Sequence, residues 1–341
     1  MSLAQGKVVT ISMVALRAGC ARSTVSYVLN GRAKEMRISD RMAQRVARAA
    51  RQLNYVPNAM ASSLRLQRTG LIGVLFAGLT HEWPLRVMAG LRESLAGAGD
   101  YHPLITTHDD NAARLGREIR FLLERQVEAV VCAPIPRRES FEIILGRRVP
   151  LVFIGHTEED MPDVSYVALD GALSTRAAIR HLAGLGRRKI AYVGGDSSAM
   201  AYMQRYAGYC QGLDEIGLPL NRKWVANAGS AEEAGSAVRR MFTAKGGKPD
   251  AVFCPLRRAA LWVQEALDKM GLRQPQDVAL LTLEDHLACR LGRVSISTVD
   301  QPVEEIGREA GRVALRLIQE PDAAPIHRLI GQYRIIDRGT T

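Results

Sequence analysis

Apolar positions recur at helical spacing through the first part of the chain. From Thr10, residues Ile11, Val14, Ala15 and Ala18 line one face, and Gly19 stops the stretch. After a short turn Val25, Val28 and Leu29 repeat the pattern, which Asn30-Gly31 ends. A third helix is predicted after Ser39, an N-cap, with Met42, Val46, Ala49, Ala50 and Leu53 inward and four arginines over its surface. Two short helices joined by a tight turn and braced by a third describe an all-α helix-turn-helix head. On spacing alone, a small three-helix bundle with a solvated basic face is the competing reading.

From Gly70 onward the pattern changes. GLIGVLFA, EAVVCA, PLVFIG, SYVAL, KIAYVGG, DAVFC and DVALLTL read as buried strands, and between them LRVMAGLRESLAGAG and LSTRAAIRHLAGLG read as helices. That alternation predicts an α/β body of parallel, doubly wound sheets covered by helices on both faces. In such folds ligands sit at the carboxyl ends of strands. At 341 residues the chain has room for two domains and a smaller module.

Charge distinguishes the two parts. Residues 1–68 hold twelve basic groups against Glu35 and Asp40, a net +10, while the rest carries 34 basic and 33 acidic groups, a net +1. A basic head on a neutral body suggests a polyanion-binding module, and no strongly apolar helical face accompanies it to suggest a membrane surface. With 47% hydrophobic residues the chain can bury sizeable cores, which excludes a disordered or fibrous protein. No apolar run approaches a membrane span, and MSLAQGKVVT lacks a secretory core. Five cysteines, Cys20, Cys132, Cys210, Cys254 and Cys289, stand far apart, which points to buried thiols in a reducing cytoplasm.

The chemistry of catalysis is not apparent. No GxGxxG or GxxxxGK[ST] occurs, and His81-Glu82 lacks the second histidine of HExxH. The expectation is therefore no cofactor, no metal and no enzyme activity.

VVTISMVALRAGCARSTVSYVLNG, followed by ISDRMAQRVARAARQLNYVPNAMASSLRLQRTGLIGVLF, resembles the head and hinge of the LacI (lactose-repressor) family of bacterial transcription regulators. The order TVS-x-VLNG, LNYVPNAMASSLR, TGLIGVL is highly specific. The resemblance implies base-reading positions at Arg22, Ser23 and Tyr27, with Arg22 suited to a bidentate contact with guanine in the major groove. It implies phosphate or backbone contacts from Thr10, Thr24, Ser26, Asn30 and Asn58, which set register. Two departures stand out: Met13 replaces a usual acid, and Ala21 replaces a usual serine cap, a loss of about 1 kcal/mol of helix stability in isolation. Within PNAMASSLRLQRTG, Asn58–Leu64 is long enough for two helical turns, too few to be stable alone. In the family this is a hinge helix that orders in the minor groove as a dimer. Leu64 is then the wedge that enters between base pairs, and Arg65 a phosphate or groove contact. An ordinary linker with Leu64 buried is the reading from spacing alone.

The body resembles the same family through ALDGALSTRAAIRHLAGLGRRKIAYVGG, QRYAGYCQGLDEIGL, DVALLTLEDH and SISTVDQPVEEIGREA. The resemblance implies a two-lobed effector domain with the fold of periplasmic sugar-binding proteins. The expected division is a head over 8–56, a hinge over 57–69 and an effector-binding and dimerisation domain over 70–341. Its N-lobe takes 70–166 and 300–327, and its C-lobe 167–299 and 328–341.

The implied cleft positions are where this chain departs from its relatives. Arg205 keeps the family arginine that binds effector oxygens. Trp83, on an expected HEWPL loop, is suited to stacking on a ring or to partial burial in the core. Gln301 matches a position beside the cleft. Leu256-Arg257 replaces a usual Asn-Asp pair and Gly155 replaces a usual aspartate with His156 beside it, while Glu284-Asp285 stands at the usual pair of acids. Arg205, Arg257 and His156 together favour an anionic effector; the other reading has Arg257 in solvent and effector binding lost. Asp170 and His181 read as a helix cap and interlobe packing.

The resulting expectation is a cytoplasmic, homodimeric repressor that binds a pseudo-palindromic DNA operator under control of a sugar, sugar acid or phosphorylated sugar. The alternatives are a small-molecule sensor with vestigial DNA binding and an enzyme on a doubly wound fold.

Overall fold

The computed structural model describes residues 9–56, 68–80, 82–99, 101–109, 111–133, 138–155, 161–195, 200–245 and 247–341. The chain divides into two compact units at Thr69/Gly70.

The first unit holds α1 (Ile11–Ala18), α2 (Arg22–Leu29) and α3 (Asp40–Gln52). Val14, Ala15, Ala18, Val25, Val46, Ala49 and Ala50 form its buried centre. The chain leaves α1 through Gly19 in the left-handed region, φ +62°, a conformation that favours glycine. Ser39 caps α3 by accepting the Met42 N–H at 3.3 Å. Ala21 stands at the N-cap of α2 and supplies no side-chain bond.

The second unit contains two sheets. β1 (Leu71–Phe76), β2 (His102–Thr107), β3 (Ala129–Ala133), β4 (Leu151–Ile154) and β5 (Ser165–Leu169) belong to the first. Between them run α4 (Glu82–Ala96), α5 (Ala112–Glu124) and the short α6 (Glu142–Gly146). The chain then crosses to a second lobe, where α7 (Gly171–Gly184), α8 (Met200–Glu215), α9 (Ala231–Thr243), α10 (Arg257–Lys269) and α11 (Leu287–Arg290) are interspersed with β6 (Ile190–Gly194), β7 (Val225–Asn227), β8 (Ala251–Cys254), β9 (Ala279–Leu283) and β10 (Ser297–Asp300). It returns through α12 (Val303–Gln319) to β11 (His327–Ile330), which pairs parallel to β5, and crosses once more to β12 (Arg334–Ile336). The sheet orders are β11-β5-β4-β3-β1-β2 and β12-β10-β9-β8-β6-β7. All pairings are parallel except β12 on β10, so the second sheet carries an antiparallel edge that the alternating pattern does not reveal. The expected lobe limits at 166 and 327 cut through β5 and β11; both strands lie wholly in the first sheet, so the crossings fall after Leu169 and after Ile330.

Most strands read from sequence are deeply buried, β3 throughout and β1 save for its first residue, but β10, buried save for its last residue, is not among them. β2 has only exposed and half-buried residues, which is why HPLITT carries no apolar run. Each sheet has helices on both faces, and each lobe has two apolar clusters, one per face. Cys132, Cys254 and Cys289 are buried as expected for inert thiols, but Cys20 and Cys210 are only half-buried. Burial pushes the Cys289 thiol up to about 11.

α4 packs closely on α12. A Cβ on Gly90 would lie 1.8 Å from the Glu304 carbonyl oxygen, and one on Gly307 would lie 1.9 Å from that of Val87. Only a residue without a side chain lets these helix backbones approach so closely, and that approach fixes the first turn of α4 beside the crossing at Asp300–Pro302.

Candidate functional site

In the first unit, Arg22 and Ser23 occupy the opening turn of α2 and are exposed, as is Thr10 at the N-cap of α1. The helix begins with exposed polar side chains and has one buried apolar position, Val25, so its outer face is open to solvent. Thr24 and Tyr27 are half-buried, and the Arg32 guanidinium lies 5.8 Å from the centre of the Tyr27 ring. Ser26 and Asn30 bond to each other: the Asn30 amide donates to the Ser26 hydroxyl at 3.2 Å and to its carbonyl, closing the end of α2. Two of the basic residues serve the fold. Arg45 donates to the Ala18 carbonyl at 2.7 Å, satisfying the end of α1, and Arg17 donates to the Gln52 side chain at 2.9 Å. Asn58, Leu64 and Arg65 lie outside the described residues.

In the second unit the carboxyl ends of β6, β8 and β9 bring three of the expected residues together. Arg205, on α8 and 9% exposed, donates to the Pro255 carbonyl at 2.8 Å and to Glu284 at 3.1 Å. Its fork of donors is thus partly engaged within the chain. Arg257, the first residue of α10, lies 3.8 Å from the other oxygen of Glu284. Glu284 follows β9 with φ +68°, a strained conformation for a residue with a side chain and one that clusters at functional sites. Asp285 has a different role. Arg290 and Arg338 bond its carboxylate at 2.5 and 2.6 Å. Burial opposes its ionisation, but the two guanidiniums outweigh that and hold the carboxyl below the usual range.

Gln301 is 1% exposed and donates to the Ser174 hydroxyl at 2.9 Å, linking the crossing to α7. Trp83 lies on the first turn of α4, not on a loop, and its ring meets Phe76 edge-on at 6.4 Å. It is half-buried against the first-lobe core. Asp170 caps α7 by accepting the Leu173 N–H at 2.8 Å. His181 lies 2.7 Å from Asp337 within the second lobe, so it does not pack between lobes as expected. His156 lies outside the described residues.

Three residues that the motifs did not single out connect the lobes. Glu82 meets His286 of the second lobe at 2.6 Å. Arg86, one turn further along α4, bonds Glu304 at 2.7 Å and lies 3.6 Å from Asp300 at the end of β10. The Glu304 hydrogen bond raises the Arg86 guanidinium further above its ordinary value, and Arg86 holds Glu304 below its own. The spacing of Glu82 and Arg86 puts them on one face of α4, but nothing in the sequence links that face to residues two hundred positions away.

Among the described residues no group of three histidines, cysteines or acids is arranged to hold a metal, and no helix is long and apolar enough to cross a membrane.

Residues 10–58 match the model of bacterial regulatory proteins of the lacI family, and residues 179–341 match the periplasmic binding protein-like domain. The ribose operon repressor of Haemophilus influenzae is 30% identical over 316 residues, 92% of this chain and 93% of that relative. The chain belongs to the lacI family of bacterial regulatory proteins. The HTH-type transcriptional repressor PurR of Erwinia tasmaniensis is 28% identical over 90% of this chain and 89% of its own length. Among solved structures, a lac repressor dimer bound to operator and the anti-inducer ONPF superposes with a TM-score of 0.84 at 22% identity, over 98% of this chain and 99% of that one. The complex of the regulator CelR with cellobiose gives 0.72 at 24% identity, over 98% of this chain and 100% of that one. As a LacI-family member the chain is a DNA-binding transcription regulator, with a helix-turn-helix head and a two-lobed periplasmic-binding-like body.

Proposed function

We propose that this LacI-family regulator is a cytoplasmic, homodimeric repressor that reads a pseudo-palindromic operator and responds to a small metabolite, a sugar or sugar acid, held between its lobes. The observation that carries the reading is the exposed start of α2, Arg22 and Ser23, on a head of net charge +10. Arg22 has the reach and donors for guanine in the major groove, and Tyr27 has a ring for a thymine methyl. Two heads related by a two-fold axis read two half-sites, which makes the operator an inverted repeat. Residues 57–69 act as the hinge, with Leu64 wedged in the minor groove and Asn58 and Arg65 on the backbone. Thr10, Thr24, Ser26 and Asn30 set register on phosphates.

The effector acts through Arg205, Glu284, Gln301 and Trp83, with Arg257 and His156 at the departures. A ligand that touches both lobes favours one lobe arrangement over another, and regulation follows only if its affinity differs between the two. Selection of bound sequences from a random duplex pool at near-physiological salt tests the DNA side. Enrichment of an inverted repeat supports the reading; salt-dependent binding without enrichment, even with a metabolite mixture present, counts against it. Removing residues 1–68 separates the rival readings, since a regulator then loses DNA binding and keeps its ligand, whereas an enzyme keeps turnover.

A further inference from the structure

Around the cleft most acids already have a close cation. Glu284 bonds Arg205 at 3.1 Å, Asp285 bonds Arg290 and Arg338, and Glu82 meets His286 at 2.6 Å. Asp300 and Glu304 both face Arg86. Arg257 is the exception on the cationic side. Among the described residues its guanidinium makes no hydrogen bond, and its nearest acid, Glu284 at 3.8 Å, is already bonded to Arg205. A half-buried guanidinium with unspent donors, beside a carboxylate that another arginine already holds, is placed to take an oxyanion from outside the chain.

The wall next to it is apolar. Leu256 and Tyr202 converge on Gly195: a Cβ there would lie 2.3 Å from Leu256 Cδ1 and 3.9 Å from Tyr202 Cε1. Tyr202 in turn stands 5.8 Å from the Arg205 guanidinium. Both side chains are half-buried, Leu256 against the second-lobe core, beside the carboxyl end of β6 at Gly195. A leucine contributes nothing to a hydroxyl-rich ligand but suits the apolar face of a ring.

We propose that the cleft takes a cyclic carboxylate, such as a sugar acid, in preference to a neutral sugar, with Arg257 holding the carboxylate and Leu256 and Tyr202 packing on the ring. The proposal rests on the effector reading above and narrows it. The carboxylate accepts two parallel N–H bonds from Arg257, and Glu284 remains with Arg205 to accept from ring hydroxyls.

The test is thermal denaturation of the full-length protein with glucuronate, shikimate and 4-hydroxybenzoate, each at millimolar concentration, against glucose, ribose and ribose 5-phosphate. At least one ring carboxylate is expected to raise Tm by several degrees, since a ligand that binds only the folded state stabilises it. Arg257→Gln is expected to weaken that ligand about tenfold. Arg258→Gln, an exposed neighbour stacked on Trp262 at 5.1 Å, is expected to leave it unchanged. The unliganded Tm and the circular dichroism of each variant report whether it folds. Stabilisation by neutral sugars or the phosphate alone, no response to any ring carboxylate, or an undiminished response in folded Arg257→Gln overturns the proposal. Operator binding by the wild-type protein, measured separately, tells such a failure apart from failure of the regulator reading.

Discussion

His286 Nε2 lies 2.6 Å from a carboxylate oxygen of Glu82, and the two residues belong to different lobes. His286 Nδ1 accepts the Ala288 N–H at 2.8 Å as the cap of α11, so the ring proton sits on Nε2 and is donated to Glu82. One imidazole thereby caps a helix and joins the lobes. Glu82→Ala is expected to loosen the lobe contact while lowering global stability by less than about 1 kcal/mol, because the pair is partly exposed. Small-angle scattering of the unliganded protein should show a larger radius of gyration, and urea denaturation a nearly unchanged midpoint. A large loss of stability with unchanged dimensions would contradict this role.

Gly90→Ala and Gly307→Ala are expected to destabilise the body by about 3 kcal/mol or more each, since each methyl would meet helix backbone that has nowhere to move. Gly116→Ala is the contrast: its Cβ meets nothing closer than 3.8 Å in the middle of α5, so it should stabilise by about 0.5–1 kcal/mol. Denaturant unfolding of the three variants checks both signs.

Asp285 is held ionised by Arg290 and Arg338, and neutralising it leaves the Arg338 guanidinium, 14% exposed, with the Ile296 carbonyl but without its counter-charge. Asp285→Asn is expected to cost about 3 kcal/mol near neutral pH. Because the folded carboxyl titrates below the unfolded one, its contribution is complete above the usual carboxylate range and is lost as pH falls through the lowered folded value. Urea unfolding of wild type and variant against pH should therefore show a constant gap that narrows only on strong acidification.

Ala21→Ser is expected to add a cap to α2 and to stabilise the head by about 1 kcal/mol, which thermal unfolding of the isolated first unit reads directly if it folds alone, or hydrogen exchange of α2 in the full chain if not. Arg22→Ala should leave that fold intact and weaken operator binding by about 1–3 kcal/mol, relaxing preference at one base in each half-site. Leu64→Ala should weaken operator binding while leaving salt-dependent binding to unrelated DNA nearly unchanged. Competition with unrelated duplex separates these effects.

Much of the architecture was legible along the chain because it is encoded locally. Gly19, Ser39 and the spacing of Val14, Ala15, Ala18, Val46, Ala49 and Ala50 specify the head helices through backbone freedom, capping and a single apolar stripe. Runs such as AVVCA specify buried strands for the same reason. The edge strands β2, β7, β11 and β12 lacked such runs, since one side of each faces water or ends the sheet.

The family resemblance named Arg205, Glu284, Arg257 and Gln301 as neighbours of one cleft, but it said nothing of how each spends its donors. Only the tertiary structure decided that Arg205 is partly engaged by Glu284 and Pro255, that Asp285 serves Arg290 and Arg338, and that Arg257 is left, among the described residues, with donors to spare. Charge type and local periodicity are properties of residues and their near neighbours along the chain. Which cation answers which acid depends on distances between side chains more than two hundred residues apart, as for Glu82 and His286, and those distances exist only once the sheets and their helices have packed.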